Sequence, residues 1–432
     1  MKIGINRKVL LETLEKGASA AISEDAQADT STMSTIIKSV RITADKNLTI
    51  ESNTEHMQSK YCVPVSEDSG IIVKEEERIL VPAKELMDWS KVQSDDSNIS
   101  ISLQKFATPE IINTLEDIKA SDDIDKSKFV IKRIGNVKMA SKNASKTLGK
   151  WELECYDPEH FATVDFKQKS DKYFEISGKS LIEALNYVLF ASQPKCHENC
   201  FNSVSIQNYE GNIYFATTDM KRCAIYKVPK ENVTNVESKE SLLINAVLLE
   251  RVSKIINENE NVEFRFDEKT EKIFINQSNL NIRLTSTDRK TVNKFPPVTA
   301  LLQKKYEPLT EVSKNTLNGL LVNASIVNNS SALFIFNKAD STFTIKAISN
   351  ESKYKPSVKQ STLDSISKDA KIVLGVSHLL SVLKVIKEDD VTLLLPENLN
   401  SMKVIGKNND NFVYFCMSIP NPIYKDVKEE NA

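Results

Sequence analysis

The 432-residue sequence is poor in the residues from which most active sites are assembled: it has 10 glycines, 4 histidines and 2 tryptophans. So few glycines leave little material for loops that wrap a substrate, since close backbone approach and positive φ favour glycine. Neither GxxxxGK[ST] nor GxGxxG occurs, so the sequence makes no case for a nucleotide phosphate site. His56, His160 and His378 stand apart, with no neighbouring Ser or Cys in a recognisable nucleophile motif. No apolar run approaches bilayer length, and the opening MKIGINRKVLLETLEK reads as an amphipathic strand and helix rather than a signal peptide. Cysteines number six and are scattered, as in proteins of reducing compartments. An excess of one charge is also missing: the formal net charge is −2, and the total does not advertise nucleic acid.

Cys196-His197-Glu198-Asn199-Cys200 superficially resembles a metal knuckle. A zinc site wants four ligands, and no second CxxC or HxxxH pair is present, so the stretch reads as a loop between helix and strand. No metal and no cofactor is expected. Trp89 and Trp151 read as core or interface residues rather than ligand stackers.

What the sequence does contain is repetition. Residues 1–20, 172–191 and 308–327 open alike: a short alternating strand, a polar residue able to cap, a basic residue, then apolar positions at helical spacing. Leu10, Leu11 and Leu14 answer to Leu181, Ile182 and Leu185, and to Leu317, Leu320 and Leu321. A second pattern follows in each third, at 78–103, 241–266 and 370–395: strand, helix, acidic or Asn-rich turn, strand. Between the two lie alternating runs that read as hairpins. The chain is therefore expected to form three domains, 1–171, 172–307 and 308–432, each with two helices on antiparallel strands and each a near-duplication. That is an α+β layer architecture. An insertion in the first domain, about 106–150, is acidic at first. From Lys126 to Lys150 it has eight basic residues and no acidic one, which reads as a solvated loop. The six repeat helices carry eleven basic and six acidic residues in a chain that is acidic overall, which points to a basic surface suited to a polyanion.

The middle of the sequence holds FATTDMKRCA, 215–224, read as strand, tight turn, strand. With VPAKEL at 81–86, KFPPV at 294–298 and VYFCMSIP at 413–420, it resembles the bacterial sliding clamp, the β subunit of the replicative DNA polymerase. That family has Ala-Thr-Asp-Gly-His-Arg-Leu where this chain keeps Thr218, Asp219 and Arg222 but places Met220 and Lys221 at the Gly and His. It has Lys-Phe-Pro-Asp-Tyr beside KFPPV, and a closing Tyr-Val-Val-Met-Pro after which it usually ends within a few residues. Here residues 421–432 follow, a C-terminal extension.

The resemblance implies a non-catalytic processivity subunit: a head-to-tail homodimer whose ring of six domains encircles double-stranded DNA without reading its sequence. It implies a cytoplasmic, nucleoid-associated protein with no membrane contact. Partners would be a DNA polymerase, a clamp loader and repair proteins, docking through short linear peptides rich in Gln, Leu and Phe. DNA contacts would come from the repeat helices, through Arg7, Lys8, Lys84, Lys91, Lys179, Arg251, Lys254, Lys314, Lys384 and Lys387. Matching positions place the subunit seam at Trp151 on one side and Ile326 and Val327 on the other, unless these are ordinary core residues. Carried over position by position, the peptide cleft comprises Phe201, Thr218, Met220, Lys221, Arg222, Cys223, Pro296 and Leu301. His378, Leu399, Ser401, Phe415, Cys416 and Met417 complete it. In it Arg222 and Thr218 would orient the peptide, Met220 would narrow the cleft, and Ile419 with the tail would exit beside it. Two other readings stay open: a clamp-like scaffold that does not encircle DNA, and an enzyme whose site no motif reveals.

Overall fold

The computed structural model describes residues 1–28, 34–113, 131–143, 146–166, 171–193, 200–234, 241–287, 295–348 and 357–420. The chain folds as two compact units, Met1–Tyr173 with Lys254–Thr285, and Phe174–Ser253 with Ser286–Ala432. No helix among the described residues is long and apolar enough to cross a membrane.

In the first unit the strand Lys2–Asn6 leads directly into the helix Arg7–Gly17. Asn6 stops the strand by capping the helix, its side chain accepting from the Lys8 amide at 2.9 Å. Leu10, Thr13, Leu14 and Gly17 form the buried stripe. Gly17 is required by contact: a Cβ there would lie 2.6 Å from the Ile50 carbonyl oxygen. A second helix, Ala83–Lys91, contributes Leu86, Met87 and Trp89 to the same core. Both helices lie over strands whose alternate residues, Ile3 and Ile5, Val40 and Ile42, Ile99 and Ile101, point at them.

The strands of this unit run in the order Asn261–Asp267, Lys272–Asn276, Leu280–Thr285, Met57–Pro64, Asn47–Asn53, Ser39–Ala44, Glu77–Pro82, Lys146–Tyr156, Ile131–Asn143, Asn98–Asn113, Lys2–Asn6, Ile71–Glu75. The basic run was expected as a loop. Instead Ile131–Asn143 and Lys146–Tyr156 are antiparallel strands, joined to the long Asn98–Asn113. Val137, Met139 and Ser141 alternate inward, while Lys138 and Lys142 point outward. The arms change register between Lys105 and Glu110, where the Arg133 guanidinium lies 5.3 Å from the Phe106 ring.

The second unit holds an eight-stranded antiparallel sheet ordered Leu242–Asn245, Ser203–Tyr209, Asn212–Thr218, Arg222–Val228, Phe412–Met417, Ser401–Gly406, Asp390–Leu395, Glu307–Ser313. A four-stranded sheet follows the order Ser357–Thr362, Thr342–Ala347, Ala332–Asn337, Ala370–Leu374. The helices Gly178–Val188, Lys314–Val327 and Val376–Leu383 belong here, and Ala246–Ile255 spans the boundary between the units. All six helices expected from the repeat therefore form.

Two strand pairs join distant parts of the chain. Met57–Pro64 pairs with Leu280–Thr285, from Tyr61 opposite Leu280 to Met57 opposite Leu284. Arg222–Val228 pairs with Phe412–Met417, from Arg222 opposite Cys416 to Tyr226 opposite Phe412. In each, the last strand of a first half-repeat meets the last strand of a second half-repeat.

Candidate functional site

The second joint carries the turn at 218–222. Asp219 builds it: one carboxylate oxygen accepts from the amides of Lys221 and Arg222, at 3.0 and 2.9 Å. The other accepts from Arg222 Nε at 2.9 Å. Thr218 Oγ1 donates to the Arg222 carbonyl at 2.7 Å and accepts from the Met220 amide at 3.1 Å. Met220 sits at φ 69°, in the left-handed region. That conformation explains glycine at the equivalent place in the clamp motif, and a methionine there carries a backbone cost of about 1 kcal/mol. Its side chain is 67 % exposed.

The Arg222 guanidinium continues into the helix Val376–Leu383. Nη1 donates to Ser381 Oγ at 2.8 Å, and Ser381 Oγ donates to the His378 carbonyl at 2.6 Å. Tyr414 Oη donates to that same carbonyl at 3.0 Å. The Phe190 ring lies 5.8 Å from both the guanidinium and the Tyr414 ring. His378 Nδ1 is buried and has no hydrogen-bond partner among the described residues. Burial, then the neighbouring positive charge of Arg222, hold the imidazole below its ordinary pKa, against the opposing pull of Asp219.

The predicted cleft residues divide between the two faces of this sheet. Residues directly opposite in an antiparallel pair share a face. Cys223 and Phe415 are opposite, and with Phe201 and Leu301 they pack into one apolar cluster that includes Phe295 and Val298. Thr218 lies opposite Cys223, and Met417 opposite Ser401, so both fall on this face. Pro296 and Pro297 lead the chain into the short helix Val298–Gln303 that carries Leu301. The Met417 amide donates to the Lys221 carbonyl at 2.8 Å and ties the two strand ends together. Leu399, half-buried at φ 50°, turns the chain just before Ser401. Arg222 and Cys416 face the other way, toward His378 and Ser381. Burial pushes the Cys223 and Cys416 thiols up to about 12, so both stay protonated and unreactive near neutral pH.

Sequence reasoning missed Tyr306, which shares a 2.8 Å hydrogen bond with Ser401 and lies 5.5 Å from the Phe415 ring. It missed Ser381 as well, although the spacing His378–Ser381 on one helix was a usable signal. Arg222 and Thr218 were expected to orient a ligand. In this structure Thr218 Oγ1 and Arg222 Nε hold the turn, and Arg222 Nη1 reaches the helix Val376–Leu383. Ile419 departs from the cleft to pack on Leu333 and Val373, and residues 421–432 lie outside the described ones. So do Cys196, His197, Glu198 and Asn199, while Cys200 is buried in the Phe201 cluster.

The ten basic positions differ in what they already hold, and two of them, Lys384 and Lys387, lie just past the helix Val376–Leu383 rather than on it. Arg7 closes the end of the helix Ala83–Lys91: Nε donates to the Ser90 carbonyl at 3.1 Å, Nη2 to the Lys91 carbonyl at 2.7 Å, and Nη1 pairs with Asp95. Lys314, at the matching place in the third repeat, donates from Nζ to the Ile386 carbonyl at 3.0 Å, three residues past the helix Val376–Leu383. Lys84 pairs with Asp88 at 2.6 Å, and Lys387 with Glu183 at 2.7 Å. Burial would raise the Glu183 carboxyl, but the Lys387 hydrogen bond and charge outweigh it and hold it low. Lys8, Lys91, Lys179, Lys254 and Lys384 are exposed, and Arg251 is half-buried.

The seam candidates are not core residues: Trp151 is 47 % and Ile326 is 71 % exposed, with Val327 half-exposed. Trp151 lies on Lys146–Tyr156, whose second edge is paired, among the described residues, only at Tyr156, opposite Leu80. Among the described residues Ser357–Thr362 pairs only with Thr342–Ala347.

Comparison with solved structures gives this arrangement its class: the fold is that of a DNA polymerase sliding clamp. A sliding clamp of Pseudomonas aeruginosa bound to griselimycin superposes with a TM-score of 0.76, covering 98% of this chain and 100% of that one at 16% identity. The DNA polymerase III β subunit of Thermotoga maritima gives 0.74, with 97% and 99% covered at 15% identity. The sliding clamp of Bacillus subtilis gives 0.74, with 98% and 99% covered at 14% identity. The chain matches these clamps along nearly their whole length at low sequence identity. No family model matches the sequence, and no curated protein matches it.

Proposed function

We propose that this protein is a DNA sliding clamp, a non-catalytic homodimeric ring that encircles duplex DNA and tethers a polymerase. The observation that carries the reading is the pattern of joints and edges. Two first-half strands find second-half partners within the chain, Met57–Pro64 with Leu280–Thr285 and Arg222–Val228 with Phe412–Met417. The third first-half strand, Ser357–Thr362, and the remaining second-half strand, Lys146–Tyr156, each keep an unpaired edge among the described residues. Open edges of this kind seek partners. Joining one copy's edge to the other's, twice, repeats the same joint and closes a two-fold ring of six domains, with boundaries near 171 and 307. Trp151, Ile326 and Val327 then become covered.

Within that ring the helices would face DNA, through Lys8, Lys91, Lys179 and Lys384 together with Arg251 and Lys254. Arg7, Lys84, Lys314 and Lys387 keep the internal partners described above. Polymerase, loader and repair partners would dock short peptides on the Cys223–Phe415 face, between Met417, Leu301 and Ser401.

Light scattering followed by retention on circular and linearised plasmid tests the proposal. A dimer that stays on the circle and runs off open ends is the expected result; equal retention on both overturns encirclement. Titration of a labelled Gln-Leu-x-Leu-Phe peptide tests the docking face. Affinity unchanged by Met417→Ala would remove that assignment.

A further inference from the structure

Beside the Cys223 and Phe415 cluster, the same face of the eight-stranded sheet holds a cation in an apolar setting. Lys403, on Ser401–Gly406, stands opposite Phe415 on one neighbouring strand and opposite Leu394 on the other. Residues directly opposite share a face, so the half-buried lysine stem runs between two buried apolar side chains. Its Nζ lies 5.9 Å from the centre of the Tyr306 ring, and Lys304 Nζ lies 5.4 Å from the same ring. Tyr306 is fixed between them: its hydroxyl shares the hydrogen bond with Ser401, and its ring leans on Phe415. Lys304 Nζ donates to Asn400 Oδ1 at 2.8 Å. At the Met417 end of the face, the exposed Lys221 adds a third cation.

Among the described residues, none of these lysines has a carboxylate partner. Glu307, next to Tyr306 in the chain, pairs with Lys305 at 3.4 Å and Lys368 at 3.5 Å. Asp219, near Lys221 in the turn, is held by Arg222 at 2.9 Å. Burial holds the Lys403 ammonium below its ordinary pKa, and no carboxylate opposes it. A cation drawn part-way out of water without an anion is a net cost to the fold, only partly offset by an aromatic ring. That cost falls next to Met417, Leu301 and Ser401, where a partner peptide would dock.

We propose that Lys403 and Lys304 form a carboxylate subsite at the Tyr306 edge of the docking face, and that peptides bound there carry an aspartate or glutamate beside their apolar anchors. This rests on the docking reading above and narrows it to acidic segments. Charge complementarity selects the occupant: two cations flank one ring on an apolar floor, with no anion of their own. A peptide carboxylate between them would neutralise the half-buried cation only in the complex, and so would favour acidic partners over neutral ones. Nucleic acid fits less well. Both ammonium groups already stand over the ring on which a base would stack, and two lysines make no track for a phosphate backbone.

Fluorescence anisotropy on the full chain tests this with two labelled Gln-Leu-x-Leu-Phe peptides, one flanked on each side by aspartates and one by asparagines. At low salt the aspartate form is expected to bind at least about fivefold tighter, an advantage that shrinks as salt rises. Lys403→Met keeps the stem and removes the charge, so it should abolish most of that advantage. Lys304→Gln should reduce it, and Lys403→Arg should preserve it. Melting of Lys403→Met should be no lower than that of the unsubstituted chain, because an unpaired cation is removed. A clearly lower melting point would reveal an internal partner for the lysine and overturn the proposal. Equal affinity for the two peptides overturns the carboxylate subsite and leaves the docking face standing; no binding of either overturns both. An aspartate advantage that survives Lys403→Met overturns the assignment to that residue. A single-stranded oligonucleotide that binds tighter than the aspartate peptide, and is lost in Lys403→Met, would give the subsite to nucleic acid instead.

Discussion

The strands Arg222–Val228 and Lys146–Tyr156 each end a half-repeat, yet one is closed and the other open. The closed strand has its partner in the same chain, and around that joint several polar groups are drawn inward: Asp219 to Arg222, Arg222 to Ser381, Thr218 to its own turn. The open strand carries Trp151 and Leu148 half in solvent. A joint made within a chain can absorb charged residues into a fixed network, whereas an edge left largely unpaired among the described residues exposes apolar side chains.

The largest effect should come from the closed joint. Asp219→Ala removes the acceptor of two amides and leaves Arg222 unpaired at a largely buried position, where side-chain exposures are 11% and 16%. Breaking such a pair should cost about 3 kcal/mol, read as a lower denaturation midpoint. Next is the open edge: Trp151→Asp, or Ile326→Asp with Val327→Asp, should weaken dimerisation at least about 30-fold by light scattering. The melting of the isolated chain should stay nearly unchanged, because these side chains are exposed; aggregation instead would mean that they serve the fold.

A smaller effect belongs to His378 at the closed joint. Its folded pKa is lowered, so below about pH 6.5 the unfolded chain takes up a proton that the folded chain refuses. Stability should therefore be full above that pH and decline as pH falls toward the depressed value, by at most about 1.4 kcal/mol per unit. His378→Asn should flatten this slope, and an unchanged slope would locate the acid sensitivity elsewhere. The smallest is Met220→Gly, which should stabilise the turn by up to about 1 kcal/mol by removing the left-handed cost and should tighten peptide binding. A loss of stability would show that the methionine side chain contributes packing that outweighs the strain.

Much of this was legible in the sequence. The helices were, because Asn6 or Ser177 before an apolar stripe marks a start wherever it occurs. The turn at Asp219 was, since its chemistry is local. The basic arm was misread, because charge density hid the period-two pattern of Val137 and Met139. Arg7 and Ser90 are 83 residues apart, and nothing local in either announces that one caps the other. The sharing of cleft residues between two sheet faces follows from pairing register, which the sequence pattern did not define.

The internal engagement of Arg7 and Lys314 has a consequence for how a ring of the proposed kind would respond to salt. A cation already held by carbonyls of its own chain displaces few condensed counterions when it nears a phosphate, and each phosphate neutralised contributes about 0.9 to the slope of log K against log salt. With Arg7, Lys84, Lys314 and Lys387 internally engaged, affinity for linear DNA would be shallow in salt and weak throughout. Residence on a closed circle would then be governed by topology, and would survive ionic strengths that strip an ordinary basic protein from the duplex.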